Sequence, residues 1–328
     1  MSSVEKDSTL DAIRKNLKLM KALKKSFGAS IAVNLFCSKL AAHIGGVVKK
    51  NAFLKKDQDI FKILDPIVHE VSLAPGRLLP EAPNTVWFFW WQGLDGAPKL
   101  VRDNFKRAKR IFFDREVILL TRENFDEFVE IPSSILERVK NNSITLAAFS
   151  DILRFALLGK YGGLWMDSTI YLIRYPAILR KNLNFVTLKG TEAQMPDFFY
   201  MNPSHYRWSI YFLGFFDDVR YSHFIFKCFL RYWERYDILI DYFLVDYFFA
   251  LSMKSFKEWN SQVSTVPPSN LMRESLNLKM NSIYDRSLNE EYISKNDLVK
   301  FSLRDEPKKK EINGQITLYG FLKRNGRL

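Results

Sequence analysis

The chain has 328 residues, 47% of them hydrophobic and 15% aromatic, so it can bury a large core as one or two domains and is not a disordered segment. Its net charge of +13 would suit a nucleic-acid binder, but the charge gathers at the front of the chain and the aromatics fall in apolar runs without interleaved basic residues, which argues against an RNA-binding sheet. Cys37 and Cys228 have no metal or disulfide spacing, no secretion signal is visible, and no stretch of about 18 residues is free of charge, so a cytoplasmic location without a membrane span is expected.

Residues 1–56 hold 12 Lys and Arg against 3 Asp and Glu, an excess of nine positive charges. Leu10, Ile13, Leu17, Met20, Leu23 and Phe27 share one helical face, with Arg14, Lys15, Lys18, Lys21, Lys24 and Lys25 around it. This basic amphipathic helix has two readings: a solvated helix of the domain, or a peripheral anchor drawn to anionic lipid. From Ser30 to Val48 a more apolar segment, interrupted by Asn34 and Lys39, reads as a helix in an interface or packed on the domain. Pro75, Pro80 and Pro83 mark a linker, so a helical basic segment over 1–75 precedes a single domain over 76–328.

Thr85 to Trp91 is β-branched and aromatic, hence a buried strand. A helix over Pro98 to Arg110 and a strand over Val117 to Leu120 follow, a succession that implies parallel strands in an α/β sheet. Thr121 to Asn142 reads as two short helices split by Pro132. Leu146, Phe149, Leu153, Leu157 and Leu158 recur at helical spacing, and Gly162 and Gly163 stand where a left-handed helix end needs a residue without Cβ. Leu164 to Met166 is a short buried strand, cut off by the polar triplet Asp167, Ser168 and Thr169. An acid placed there wants a ligand. Asp151 and Arg154 lie three apart on the preceding helix and share a face, either as an ordinary surface ion pair or as a pair that reaches a common substrate.

Phe185 to Leu188 is expected as a strand and Phe224 to Leu251 as one long apolar helix, with Asp246 a buried acid that is either bonded to backbone or in contact with substrate. His205 and His223 lack metal spacing and read as structural. From Val263 onward little order is visible. Walker loops, G-x-G-x-x-G, G-x-S-x-G and H-E-x-x-H are all absent.

The segments Thr85 to Gly93, Phe149 to Arg154 (FSDILR), Lys160 to Thr169 (KYGGLWMDST) and Asp241 to Leu251 bracket about half of the chain. Together they resemble the bacterial capsular polysaccharide synthesis proteins, which are related to sugar transferases bearing a DxD motif, among them Och-type mannosyltransferases and the clostridial glucosylating toxins. The resemblance implies a GT-A-like α/β fold with a mostly parallel central sheet and the transfer of a sugar from a nucleotide-sugar donor, of UDP type and with retention of configuration. The acceptor would be an oligosaccharide or lipid-linked glycan of a growing surface or capsular polysaccharide, and nucleic acid would not be a partner. By the same resemblance Asp151 and Arg154 hold sugar hydroxyls, Asp167 holds the sugar and the water of a bound metal, Trp87 covers the base near Ser150, and Trp165 joins them in binding the donor.

One departure from the motif stands out: where a second acid belongs, this chain has Thr169. Carboxylates are the favoured ligands of Mg²⁺ or Mn²⁺. Either Asp167 and Thr169 hold the divalent cation more weakly with a further ligand, or basic side chains take its place. A transferase-like scaffold that lost activity with the second acid is the alternative.

Overall fold

Strand β1 (Thr85–Phe89) is buried at every residue, as a TVWFF run demands, and it forms the centre of the sheet. The computed structural model describes residues 17–194, 199–303 and 308–325. Helix α4 (Lys99–Ile111) carries the chain to β2 (Glu116–Leu120), which pairs with β1 in parallel, and β3 (Gly163–Met166) pairs in parallel on the other side of β1. Beyond β3 the sheet is completed by β6 (Phe212–Phe215) and β5 (Phe185–Thr187), in the order β2-β1-β3-β6-β5. Both of these pairings are antiparallel, so four strands run one way and β6 alone runs against them. The mixed α/β sheet agrees with the expectation of mostly parallel strands, the exception being a return strand that the aromatic stretch before Phe216 concealed.

Between Thr121 and Asn142 the structure has one 3-10 turn (Phe125–Glu127) and helix α5 (Ser133–Lys140), on either side of Pro132. Helix α6 (Leu146–Lys160) starts at Thr145, whose hydroxyl accepts the N–H of Ala148, and it is buried on nearly every face. It ends where expected. Gly162 (φ 64°) and Gly163 (φ 81°) turn the chain directly into β3, and a Cβ on Gly163 would stand 2.4 Å from the Thr85 carbonyl oxygen. The short β4 (Ile170–Leu172) follows the Asp167–Thr169 turn.

Two expectations need correction. The apolar run from Phe224 to Leu251 is two helices, α7 (Arg220–Arg235) and α8 (Leu244–Ser255). Two side chains hold the break. The Tyr232 hydroxyl bonds the backbone of Ile238 and Ile240, and the Asp241 carboxylate accepts the N–H of Phe243 at 2.8 Å. The chain after Val263 is also ordered among the described residues. Helix α9 (Lys257–Thr265) packs against β5, α10 (Arg273–Lys279) follows, and β7 (Leu298–Lys300) pairs antiparallel with β4. Tyr171, Leu276, Met280, Val299, Phe301, Leu318 and Leu322 form a second hydrophobic core that holds this part in place. The run is hard to see in sequence because its described elements are only two to nine residues long.

The basic front of the chain is helical. Residues 17–27 form α1, followed by α2 (Ala29–Ile44) and α3 (Gly46–Glu70), a helical hairpin bent at Gly45 and Gly46 and tied across by Asn34 to Asp59. Leu10, Ile13, Arg14 and Lys15 lie outside the described residues. In α1, Met20, Leu23 and Phe27 pack on the main core, so the apolar face that the sequence offers to lipid is turned inward here. Ile31, Leu35, Ile60, Leu64 and Ile67 join the same core as the sheet. Lys56, buried in α3, pairs with Asp241 at 3.2 Å, and Tyr247 of α8 donates to Asp57. The residues before position 76 thus share their core with those after it. No described helix is long and apolar enough to cross a membrane.

Replacing Gly163 by Ala should cost clearly more than the roughly 1 kcal/mol of a left-handed alanine, because backbone must also move away from Cβ. Gly93→Ala, with φ 70° and only an ordinary 3.8 Å contact, is the comparison. Urea unfolding of both variants checks this; equal losses would show that the close approach at Gly163 carries no energy.

Candidate active site

Beside the carboxyl end of β3, an edge at which open α/β sheets bind their ligands, the chain leaves a cavity of about 490 Å³. Asp151 and Arg154 reach it from α6, Asp167 from the end of β3, Asp246 from α8, Glu274 from α10 and Lys300 from β7. Ser150 lines it too. The turn after β3 is fixed from several directions. Asp167 N–H bonds the Tyr211 carbonyl at 3.0 Å, Ile170 N–H the Asp167 carbonyl at 2.9 Å, and the Asn104 amide the Ser168 carbonyl at 2.7 Å.

Arg154 is the hinge of the site. Only 3% exposed, its guanidinium bonds Asp151 through one terminal nitrogen and Asp167 Oδ1 through the other at 3.0 Å, and it lies 4.8 Å over the Trp165 ring. Three-residue spacing on α6 gives the first contact, and the short turn into β3 gives the second. Trp165 Nε1 donates to the same Asp167 oxygen at 2.9 Å. The other oxygen, Oδ2, accepts from Lys300 Nζ at 2.9 Å, and that ammonium also donates to Thr169 Oγ1 at 2.6 Å. Register sets this contact, since Lys300 stands opposite Ile170 in the β4–β7 ladder.

These surroundings push the carboxyl groups apart. Burial raises Asp151 to about 6 against the pull of Arg154. Burial also opposes the charge of Asp167, but Lys300, Arg154 and the Trp165 N–H outweigh it and hold this acid below the usual carboxylate range. Asp246, 4% exposed, is raised to about 8 by burial even though Trp208 Nε1 donates to it at 2.8 Å, so it is largely protonated at neutral pH. Its partner is a side chain of the cavity wall, not the backbone. Beside Asp167, with its ring 4.9 Å from Lys300 Nζ, Tyr211 accepts from Arg273 at its hydroxyl at 2.6 Å and donates to Glu274 at 2.7 Å, and Tyr206 donates to the same carboxylate at 3.2 Å. Burial and Glu274 raise both phenols, which stay protonated.

The site residues named from sequence thus divide. Asp151, Arg154, Asp167 and Ser150 come together at the cavity, with Trp165 beneath the Arg154 guanidinium and Thr169 on Lys300. Trp87 does not join them. It is 1% exposed, packs on Phe128 and Tyr161, and gives its N–H to the Gly162 carbonyl at 2.9 Å, so its place in mid-strand fills core and does not cover a base. The aromatics that line the cavity are Tyr206, Trp208, Tyr211, Tyr242, Phe243 and Phe301. His205 and His223 are not among its walls. Lys300, Arg273 and Glu274 escaped the sequence reading; the one available signal was a lone Lys in the apolar run Leu298 to Phe301.

A divalent cation at Asp167 and Thr169 would need carboxylate oxygens turned toward it. Both Asp167 oxygens are engaged and an ammonium group spans the acid and the threonine. The described residues hold no cluster of three or more His, Cys, Asp or Glu able to take a metal ion. The residues as arranged do not fit the ion.

Fold and site define an α/β protein with an ion-paired cavity beside the end of its strand β3. The family model for capsular polysaccharide synthesis proteins matches residues 57–320, most of the chain, and the protein belongs to that family. No curated protein and no solved structure matches the chain.

Asp246→Asn tests the assignment of the neutral acid. A carboxyl whose folded value is raised from about 4 to about 8 gives stability that is complete below the lower value and lost as pH rises through the upper one. The variant has no such titration, so its stability relative to wild type should climb between pH 4 and 8, by on the order of 1 kcal/mol per pH unit, and level off above. Urea denaturation at pH 5, 7 and 8.5 measures it; a pH-independent difference refutes the assignment.

Proposed function

We propose that the protein is a glycosyltransferase of capsular polysaccharide synthesis, moving a sugar from a nucleotide-sugar donor to a glycan acceptor. The observation that carries this reading is the Asp151–Arg154–Asp167 cluster lining a cavity beside the end of β3, in a chain of this family. Departure of a nucleoside diphosphate from the anomeric carbon builds negative charge on phosphate and positive character on the ring. Catalysis therefore needs a cation at the one and carboxylates at the other. Asp151 and Arg154 hold sugar hydroxyls. Asp167, kept ionised by its cationic neighbours, faces the developing ring charge, and the protonated Asp246 is a donor for a further hydroxyl. A UDP-type donor, a GT-A relationship through the DxD-like motif and retention of configuration belong to this reading through the motifs.

Asp167→Asn keeps the volume of the side chain and removes its charge. Screening nucleotide sugars for slow release of nucleoside diphosphate without acceptor should find a donor for the wild type, and the variant, still folded by circular dichroism but with a lower melting temperature because Arg154 and Lys300 lose a charged partner, should release it at least about 10²-fold more slowly at a temperature where both are folded. Wild-type turnover in the variant would remove Asp167 from the chemistry.

The acceptor belongs, in this reading, to a lipid-linked glycan at an anionic membrane surface. Val33, Phe36, Leu40, Ile44, Val47 and Val48 form an apolar stripe along α2 and over the hairpin bend, each at least 45% exposed, within the part of the chain that holds nine excess positive charges. At its base Lys50 lies 4.8 Å over the Tyr200 ring, next to Met201 and Asn202 of the cavity wall, so a bilayer seated on the stripe is close to the cavity. Sedimentation with phosphatidylglycerol vesicles should be strong at low salt, weaker at high salt, and reduced at least about tenfold by Leu40→Asp with Ile44→Asp, substitutions at solvent-facing positions. Absence of sedimentation at low salt would sink the membrane reading and leave the transferase reading untouched.

A further inference from the structure

We infer that Lys300 does the work of the missing second acid and its metal: its ammonium group is the built-in cation that meets the diphosphate leaving group. The inference rests on the transferase reading and goes beyond it by naming the counter-charge. Three observations carry it. Lys300 Nζ sits between Asp167 Oδ2 (2.9 Å) and Thr169 Oγ1 (2.6 Å), the two positions of the DxD-like motif that would hold a divalent cation if both were acids. It lines the cavity, where those bonds use two of its three N–H donors. And it is held there by structure, in a ladder whose next bond runs from Phe301 N–H to the Thr169 carbonyl at 3.0 Å, with Phe301 in the second core.

Thr169 explains the exchange in chemical terms. A second carboxylate here would add a further negative charge beside the ammonium, whereas a hydroxyl accepts one of its hydrogen bonds and adds none, so that Asp167 is the acid paired with it. Asp151, Arg154, Asp167 and Lys300 then form a balanced set of two acids and two bases, so an incoming diphosphate meets cations whose partners are already in place. In the transfer step the bond between the anomeric carbon and the diphosphate oxygen breaks, with its electron pair going to that oxygen. A bond to the acceptor oxygen forms, and the acceptor proton leaves with the diphosphate. Lys300 and Arg154 stabilise the oxygen that gains the charge.

The test compares wild type, Lys300→Met and the pair Lys300→Met with Thr169→Asp. Wild type should release nucleoside diphosphate from its donor at full rate in excess chelator. Lys300→Met, which keeps the apolar stem, should lower that rate roughly 10²-fold. It should also weaken UDP or GDP about tenfold while leaving the matching monophosphate unchanged, a contrast that loss of packing alone would not produce. If Lys300→Met does not fold, Lys300→Arg serves, keeping the charge and hence the rate in chelator. The double variant should bind Mn²⁺, read by electron paramagnetic resonance, and recover hydrolysis only with it. Dependence of wild type on a divalent cation, or equal losses of diphosphate and monophosphate affinity in Lys300→Met, would overturn the inference alone. Failure of the wild type to bind any nucleoside diphosphate or hydrolyse any nucleotide sugar would overturn the transferase reading, and this inference with it.

Discussion

The guanidinium of Arg154 is a buried charge, and a buried charge is tolerable only when it is paired and hydrogen-bonded. Its two partners come from different elements, Asp151 one turn back on α6 and Asp167 beyond the glycine turn on β3. The helix, the turn and the strand must therefore keep one relative position, or a charge is left uncompensated at a cost of several kcal/mol. Gly162 and Gly163 make that position reachable by bringing the strand out directly beneath the end of the helix. The stacking of Arg154 over Trp165 fixes the remaining freedom of the side chain.

Much of this unit was legible in the sequence because it is local. The apolar period of α6, the glycine pair and the buried strand ending in an acid lie within some two dozen consecutive residues, where spacing alone decides which side chains meet. The strands β1 and β2 with α4 between them were legible for the same reason. Trp87 shows where such reading stops. A tryptophan in a buried strand sends its ring to one side or the other according to the sheet's packing, and here the Gly162 carbonyl and Tyr161 claimed it. The break between α7 and α8 was hidden in another way, because apolar residues continue across it and only the hydroxyl of Tyr232 and the carboxylate of Asp241 betray it.

What the sequence concealed most fully is the contribution of the last sixty residues. Lys300 meets Asp167 through the pairing of two three-residue strands, and a pairing of that length has no periodicity to detect. Its alignment is secured by Phe301 and Val299 in the second core, side chains that look unremarkable in a charged and irregular stretch. Arg273 and Glu274 are brought in from α10 by the same long-range packing, and both bond to Tyr211, which sits just before β6.

The pairing of Asp167 with Lys300 joins groups that are 133 positions apart. On a ribosome adding roughly ten residues each second, the acids and Arg154 leave the tunnel many seconds before the lysine does. During that interval the sheet can form while Asp167 has only Arg154 and Trp165 for company, and the strand that will bear Lys300 has no second core to lie on. A nascent chain thus holds a nearly finished scaffold with an unfinished centre. The cavity with its ion pairs is the last part of the molecule to be completed as it is made.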